Sequence, residues 1–297
     1  MDGHASQPAS AMIDNLLGRV TSDHQDRVVQ GMLASVVHLH ALIERLKPTP
    51  DEWRRVIGFL TDVGHSADTL RQEWVLLSDV IGASTLVEDL NSVRPMGATP
   101  NTLAGPFYRT DVPDMENGST ISRDGIGAPL YVSGQITDLA GLGIGHATVE
   151  VWHANSFGVY ENQQPDLQPE FNLRGRFTAD PSGAFHFTTV CPGGYSLPDD
   201  GPVGKLMNRI GVKLRRPAHL HFRVTAPAYQ TLTTHIYDRT DPSIGCDALF
   251  CVKPEILGDF VPKTIAGSTV HTLDVRFCLA DTTPSNLTSA PPAGDNT

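Results

Sequence analysis

Along the first third of the chain, apolar residues return every three or four positions. From Ala11 to Leu46 the series runs Ile13, Leu16, Leu17, Val20, Val28, Val29, Met32, Leu33, Val36, Leu39, Ile43 and Leu46, the spacing of one face of an α-helix. Thr49-Pro50-Asp51-Glu52 has the composition of a helix start: Thr49 caps, Pro50 suits the first turn, and Glu52 can reach back to close a capping box. A helix through Trp53, Val56, Ile57 and Leu60 is predicted next. Another is predicted from about Asp68 to Asn91 on Leu70, Trp74, Leu77, Val80, Ile81, Leu86 and Leu90. These helices carry more apolar surface than polar-faced helices need, so part of it is expected to cover a second domain or another subunit.

After Val93 the period changes. Pro, Gly and Asn punctuate residues 94–128, and short alternating runs follow. Segments 131–136, 148–153, 176–179, 184–189, 218–225, 232–237 and 270–278 read as strands, with Asp180-Pro181-Ser182-Gly183 as a hairpin loop. Several short strands separated by turn signals predict a β-sandwich. The fold class expected is mainly β with an α-helical N-terminal domain. A helical domain covers 1–100, a β-sandwich covers 101–280, and a flexible tail rich in Pro, Ser, Thr and Ala covers 281–297.

The chain has 297 residues and a formal net charge of -11 without a Lys/Arg cluster. That balance argues against nucleic-acid binding and against anionic membrane surfaces. No apolar run approaches the roughly 20 residues of a membrane-spanning helix, and the polar start lacks a signal-peptide core. Cys191, Cys246, Cys251 and Cys278 have no C-x-x-C spacing and read as buried thiols rather than a disulfide framework. A cytoplasmic protein is expected.

The chemistry-bearing stretch is Arg216-Pro217-Ala218-His219-Leu220-His221-Phe222. Side chains at i and i+2 of a strand leave on one face, so His219 and His221 point together at a spacing that suits two ligands of one metal ion. Alone, the pair also fits a half-exposed polar face or a zinc or cupin-type site. Arg216-Pro217 holds the entry to the strand extended and sets a permanent charge close by. His153 reads as structural and His186 as a solvated strand residue. Arg223 nominally shares the His219 face. Tyr108, Tyr131, Tyr229 and Tyr237 read as packing residues with satisfied hydroxyls.

Several blocks make the chain resemble the intradiol ring-cleaving catechol dioxygenases. They are Val149-Glu150-Val151-Trp152-His153-Ala154-Asn155 with Tyr160 downstream, Glu170-Phe171-Asn172-Leu173-Arg174-Gly175-Arg176, Pro192-Gly193-Gly194-Tyr195, the Arg216 to Phe222 block and Leu232-Thr233-Thr234. The blocks occur in family order, and the resemblance covers about residues 60 to 280. Within the family, Ser78-Asp79-Val80-Ile81-Gly82, the run from Tyr195 to Gly204, Thr234-His235-Ile236 and Cys246-Asp247-Ala248-Leu249-Phe250 are most like the hydroxyquinol 1,2-dioxygenases. Many catechol-type members carry Gln where this chain has His235.

The resemblance implies one non-haem ferric ion per subunit, held by Tyr160, Tyr195, His219 and His221. It implies a substrate bound through two adjacent ring oxygens, with Tyr195 taking one of its protons, and cleavage by O2 between the two oxygenated carbons. Hydroxyquinol would give 3-hydroxy-cis,cis-muconate, or maleylacetate; catechol or a substituted catechol is the alternative substrate. Arg216, Tyr195 and His235 are the implied catalytic residues, with Arg216 countering charge on the ring. Leu76, Asp79, Leu103, Pro106, Phe107 and Phe250 would line the slot, Asp79 facing an extra hydroxyl. The helical domain would make a homodimer, with room for lipid between the helical arms. A β-sandwich binding module with a helical dimerisation arm and incidental histidines is the non-enzymatic reading.

Overall fold

The computed structural model describes residues 9–21, 26–68, 71–265 and 267–282. The chain divides into two compact units, 1–65 and 66–297. The first contains α1 (Ala9–Leu17), α2 (Arg27–Leu46) and α3 (Pro50–His65). The apolar series from Ala11 to Leu46 is therefore two helices: a turn at Gly18-Arg19 closes α1, and Asp26 caps α2 by accepting from the Val28 amide at 2.7 Å. α2 stops on Lys47, a left-handed residue at φ 48, the geometry that frees a helix end from its axis. The capping box at α3 forms as expected: the Glu52 carboxylate accepts from the Thr49 amide at 2.8 Å, and Thr49 Oγ1 accepts from the Glu52 amide at 3.3 Å. Val28, Met32 and Leu42 of α2 and Val56 and Ile57 of α3 are exposed.

The second unit opens with α4 (Glu73–Val80) and α5 (Ala83–Asn91). The single helix expected over 68–91 is broken at Ile81-Gly82, where Gly82 takes φ 78. A side chain there would meet both the left-handed backbone penalty and the Phe250 ring, 3.3 Å from an added Cβ. The sequence pattern changes near residue 100, whereas the compact units divide after His65. α5 is tied to the second unit by Thr85 Oγ1, which donates to the Leu249 carbonyl at 2.5 Å.

The strands are β1 (Asp114–Met115), β2 (Pro129–Thr137), β3 (Thr148–Trp152), β4 (Arg174–Thr178), β5 (Ala184–Val190) and β6 (Tyr195–Ser196). After helix α6 (Pro202–Arg209) come β7 (Arg215–Arg216), β8 (His219–Thr225), β9 (Leu232–Asp238), β10 (Leu257–Gly258), β11 (Val261–Ile265) and β12 (Ser268–Cys278). They form a six-stranded sheet in the order β1-β4-β3-β8-β9-β10, a four-stranded sheet β11-β12-β2-β5 and a two-stranded ribbon β6-β7. The two larger sheets face each other across a phenylalanine core. Phe222 of β8 lies 5.0 Å from Phe277 of β12 and 6.4 Å from both Phe185 and Phe187 of β5. Truncating any of these buried rings to Ala is expected to cost about 3–5 kcal/mol.

Alternation along β8 sets the site. Leu220, Phe222 and Val224 are fully buried in the core, so His219, His221 and Arg223 take the opposite face of the sheet. The expected mobile tail lies mostly outside the described residues; within them, Asp281 bridges Tyr229. All four cysteines are free, but only Cys251 is buried; Cys191 and Cys278 are half-buried and Cys246 is exposed. Among the described residues no helix is long and apolar enough to cross a membrane.

Candidate metal centre

β8 runs between β3 and β9, with Trp152 opposite His221 on one side and His235 opposite His221 on the other. This register stacks the indole of Trp152 on the His221 ring at 4.7 Å. His219 and His221 are 2% exposed and His235 is 0% exposed. The Nε2 atoms of His219 and His221 lie 3.2 Å apart, and His221 Nε2 lies 3.0 Å from the Tyr160 hydroxyl. His219 Nδ1 donates to the Pro217 carbonyl at 2.7 Å, which fixes the tautomer and leaves the Nε2 lone pair facing the cluster.

Tyr160 is delivered by the chain after β3. It begins a single 3-10 turn, where its amide donates to Gln163 Oε1 at 2.9 Å. Tyr195 arrives on β6, paired with Arg216 of β7. Its ring lies 5.7 Å from His219 and 5.9 Å from Tyr160. The four side chains that the sequence nominates thus converge, two imidazoles and two phenols. Gly158 makes this possible: at φ 80, a Cβ there would come within 2.7 Å of the Tyr195 Cβ.

Burial holds the imidazoles of His219, His221 and His235 well below the usual histidine range, and the Arg216 charge pushes the same way. They are neutral at pH 7, with lone pairs available to a cation. Burial also drives the Tyr160 phenol well above its ordinary value, with Tyr195 adding to the effect. A phenol so placed ionises when a strong positive charge arrives beside it. The donor set therefore fits a high-valent, oxygen-preferring metal ion. His221 Nε2 faces the cluster, while His221 Nδ1 and His235 Nε2 are buried without a hydrogen-bond partner.

Arg216 is buried at the base of the site. Its Nε donates to Asp247 Oδ1 at 3.1 Å and its Nη2 to the Tyr237 hydroxyl at 2.6 Å. Burial opposes its charge, but Tyr237, Tyr195 and Asp247 together outweigh that and keep the guanidinium protonated. Of the expected slot residues, Phe107 stacks on Tyr160 at 4.1 Å. Gly105, at φ 73 in the same loop, lies so close to His221 that an added Cβ would be 3.7 Å from its Cε1. Leu103 packs on the core, and Pro106 is exposed. Leu76 and Asp79 sit half-buried on α4; burial raises the Asp79 carboxyl, partly offset by Ser84 and by Arg216. Phe250 is 59% exposed, with its ring against Gly82.

The remaining expectations resolve simply. His153 is structural, donating from Nδ1 to the Ala154 carbonyl at 2.7 Å, with Thr189 Oγ1 at 2.7 Å from Nε2. His186 is exposed. Arg223 pairs with Glu150 at 3.0 Å. Tyr108 and Tyr237 have satisfied hydroxyls, whereas Tyr131 is 46% exposed rather than packed. Sequence reasoning gave no role to Trp152, to Thr102, whose hydroxyl is hydrogen-bonded to His235 Nδ1, or to the buried pair Arg174–Glu161 at 2.6 Å behind Tyr160. Only Trp152 had a signal, its position on a strand one residue before a histidine.

Comparison with known proteins gives a consistent picture. A family model described as Dioxygenase matches residues 103–280, and one described as Catechol dioxygenase N terminus matches residues 25–99. The chain is 41% identical over 259 residues to hydroxyquinol 1,2-dioxygenase of Rhizobium sp. (strain MTP-10005), covering 87% of each protein. It is 36% identical over 258 residues to catechol 1,2-dioxygenase of Candida albicans, covering 84% of this chain and 85% of the relative. The crystal structure of hydroxyquinol 1,2-dioxygenase from Pseudomonas putida DLL-E4 matches with a TM-score of 0.87 at 33% identity, covering 92% of this chain and 98% of that one.

Proposed function

Because the chain belongs to the intradiol ring-cleavage dioxygenases, enzymes that open a catecholic ring with O2 at a non-haem iron, we propose that its substrate is hydroxyquinol, 1,2,4-trihydroxybenzene. The product would be 3-hydroxy-cis,cis-muconate, a tautomer of maleylacetate. Asp79 carries this choice. It is a half-buried carboxylate on α4, close enough to Arg216 to feel its charge. A carboxylate acceptor in a slot suits a third ring hydroxyl, and a site built around a hydroxyl rejects the analogue that lacks it. The 41% identity to a hydroxyquinol enzyme supports the same reading.

Tyr160, Tyr195, His219 and His221 would hold one ferric ion per chain, since hard phenolate oxygens favour the trivalent state. When bound, that ion supplies Lewis acidity, lowering the proton affinity of a chelated diol and readying it for O2. Tyr195, the least buried of the four side chains, accepts a substrate proton at its Oη. Arg216, locked by Asp247 and Tyr237, presents a fixed positive charge to the electron-rich ring and needs no reorganisation to do so. His235 offers its unpaired Nε2 as a hydrogen-bonding group to the same ring. Phe107, stacked on Tyr160, flanks the site, and Leu76, Leu103, Pro106 and Phe250 would line the slot beside it. The exposed apolar residues of α2 and α3 support a homodimer paired through its helices, with lipid as a further occupant of that interface.

The test is kcat/KM on hydroxyquinol and on catechol for the wild type and for Asp79→Ala. Hydroxyquinol should be preferred, and the substitution should erode the preference by about 10²-fold. A wild-type preference for catechol would refute the assignment. An absorption spectrum of the iron-loaded protein should show the visible charge-transfer band of ferric phenolate, weakened and shifted in Tyr160→Phe, which leaves Tyr195 as the one phenolate, and lost when Tyr195→Phe is added.

A further inference from the structure

His235 has no part in the four-residue ligand set, yet it completes a second one. His219, His221 and His235 each offer a ligand nitrogen, and these nitrogens all lie within 4.8 Å of one another. All three rings are buried, on adjacent antiparallel strands. The His221 and His235 rings are 4.2 Å apart, and the His219 and His235 rings are 4.9 Å apart.

Two details show a built arrangement. His235 Nδ1 is hydrogen-bonded to the Thr102 hydroxyl, and His219 Nδ1 donates to the Pro217 carbonyl. Outer partners of this kind orient imidazoles for metal binding through Nε2. Yet His235 Nε2, in a residue with 0% exposure, has no partner. Among the described residues these three histidines are the one group of His, Cys, Asp or Glu side chains with this geometry.

We infer that the iron-free enzyme binds a borderline divalent ion, zinc in kind, through His219, His221 and His235. This reading rests on the ferric site proposed above, because it shares two of that site's ligands. The two modes are chemically distinct. Phenolate oxygens suit a trivalent ion, whereas three neutral imidazoles with an open fourth position suit Zn²⁺ or Co²⁺. The His219–His221 separation of 3.2 Å already matches an edge of a tetrahedral site with Zn–N bonds of about 2.0–2.1 Å, and tilting the His235 ring inward closes the rest. Occupation by zinc draws His219 and His221 away from the phenols, so it competes with iron loading.

The experiment uses the full-length protein freed of iron and titrated with Co²⁺. The expected result is one ion per chain, with the strong visible d–d absorption of four-coordinate cobalt, lost on adding one equivalent of Zn²⁺. His235→Gln should weaken Co²⁺ binding at least tenfold, and Thr102→Val, which keeps the imidazole but removes its outer partner, should also weaken it. Thermal melts of both variants report whether they fold. Weak, pale, six-coordinate cobalt in the wild type would overturn the proposal, as would equal affinity in wild type and folded variants. A parallel sample of each protein receives ferric iron. A phenolate band that forms in wild type and in His235→Gln upholds the iron reading independently; cobalt binding without that band would sink the iron reading and leave the three-histidine site standing.

Discussion

Glu161→Gln tests how the protein holds Tyr160 from behind. Glu161 is 4% exposed and Arg174 is 1% exposed; Arg174 Nε donates to Glu161 Oε1 at 2.6 Å and its Nη1 to the Phe107 carbonyl at 2.5 Å. The guanidinium lies 6.0 Å from the centre of the Tyr160 ring. Glutamine keeps the size and one acceptor oxygen but removes the charge, so Arg174 is left buried and uncompensated. Breaking a buried pair in this way costs about 3–5 kcal/mol. The Phe107 carbonyl remains with Arg174, and Arg109, which also reaches Glu161 at 3.3 Å, keeps Asp111, so the lower end, about 3 kcal/mol, is expected. For a unit of roughly 230 residues that is a fall in Tm of about 6–12 °C. Replacing the pair together, Glu161→Leu with Arg174→Met, removes both desolvation penalties and should recover most of the loss. Thermal unfolding followed by tryptophan fluorescence supplies the cycle. A Glu161→Gln protein melting within 2 °C of wild type (about 1 kcal/mol or less), or a double variant less stable than either single one, would show that the buried charges are not coupled as described.

Gly158→Ala places a Cβ 2.7 Å from the Tyr195 Cβ and 2.8 Å from the Gly194 carbonyl oxygen, on a backbone at φ 80; a loss of at least about 2 kcal/mol and a weakened ferric-phenolate band are expected, and an unchanged spectrum would contradict the close approach. The pH dependence of stability is set largely by buried histidines. Burial holds His153 down to about 4, below the value of about 6.5 for an exposed imidazole, so the unfolded chain takes up the proton first as pH falls. Its contribution is complete above pH ~6.5 and is lost toward pH ~4, at about 1.4 kcal/mol per pH unit. The depressed His219, His221 and His235 steepen that fall in iron-free protein. Urea unfolding of His153→Gln between pH 4.5 and 6 should show a slope smaller by one proton, and an unaltered slope would count against the buried neutral imidazole.

The parts of the fold legible in the sequence were those with a strong period. In β8 the apolar residues Leu220, Phe222 and Val224 are buried in the core, and that alternation alone puts His219 and His221 on one face. The pair Thr49 and Glu52 announced the start of α3 for an equally local reason. What escaped depends on chain far away or on very short elements. β1 and β10 are two-residue strands that exist only because β4 and β9 offer edges in parallel. β11 contains Pro262, which has no amide to give and fits an edge strand. The elbow at Gly82 interrupts an apolar period that continues on both sides of it. Arg216 was readable as a charge near the histidines, but its anchors Asp247 and Tyr237 lie 31 and 21 residues away. The two tyrosines were placed by family resemblance, because no period leads from Tyr160 or Tyr195 to β8.

The pairing of β12 with β2 governs when this molecule can mature. Residues 271–278 align in parallel with residues 130–137, and β12 is an interior strand of its sheet. Until a ribosome has delivered β12, Phe277 is not there to cover Phe222, and the backbone that carries the histidines has an open, wet interior on its other side. Such distant pairing is slow to form, and a nascent chain waiting for it shows aromatic surface to chaperones and proteases. The strand face that carries His219 and His221 is therefore backed by a complete core only once β12 has paired with β2.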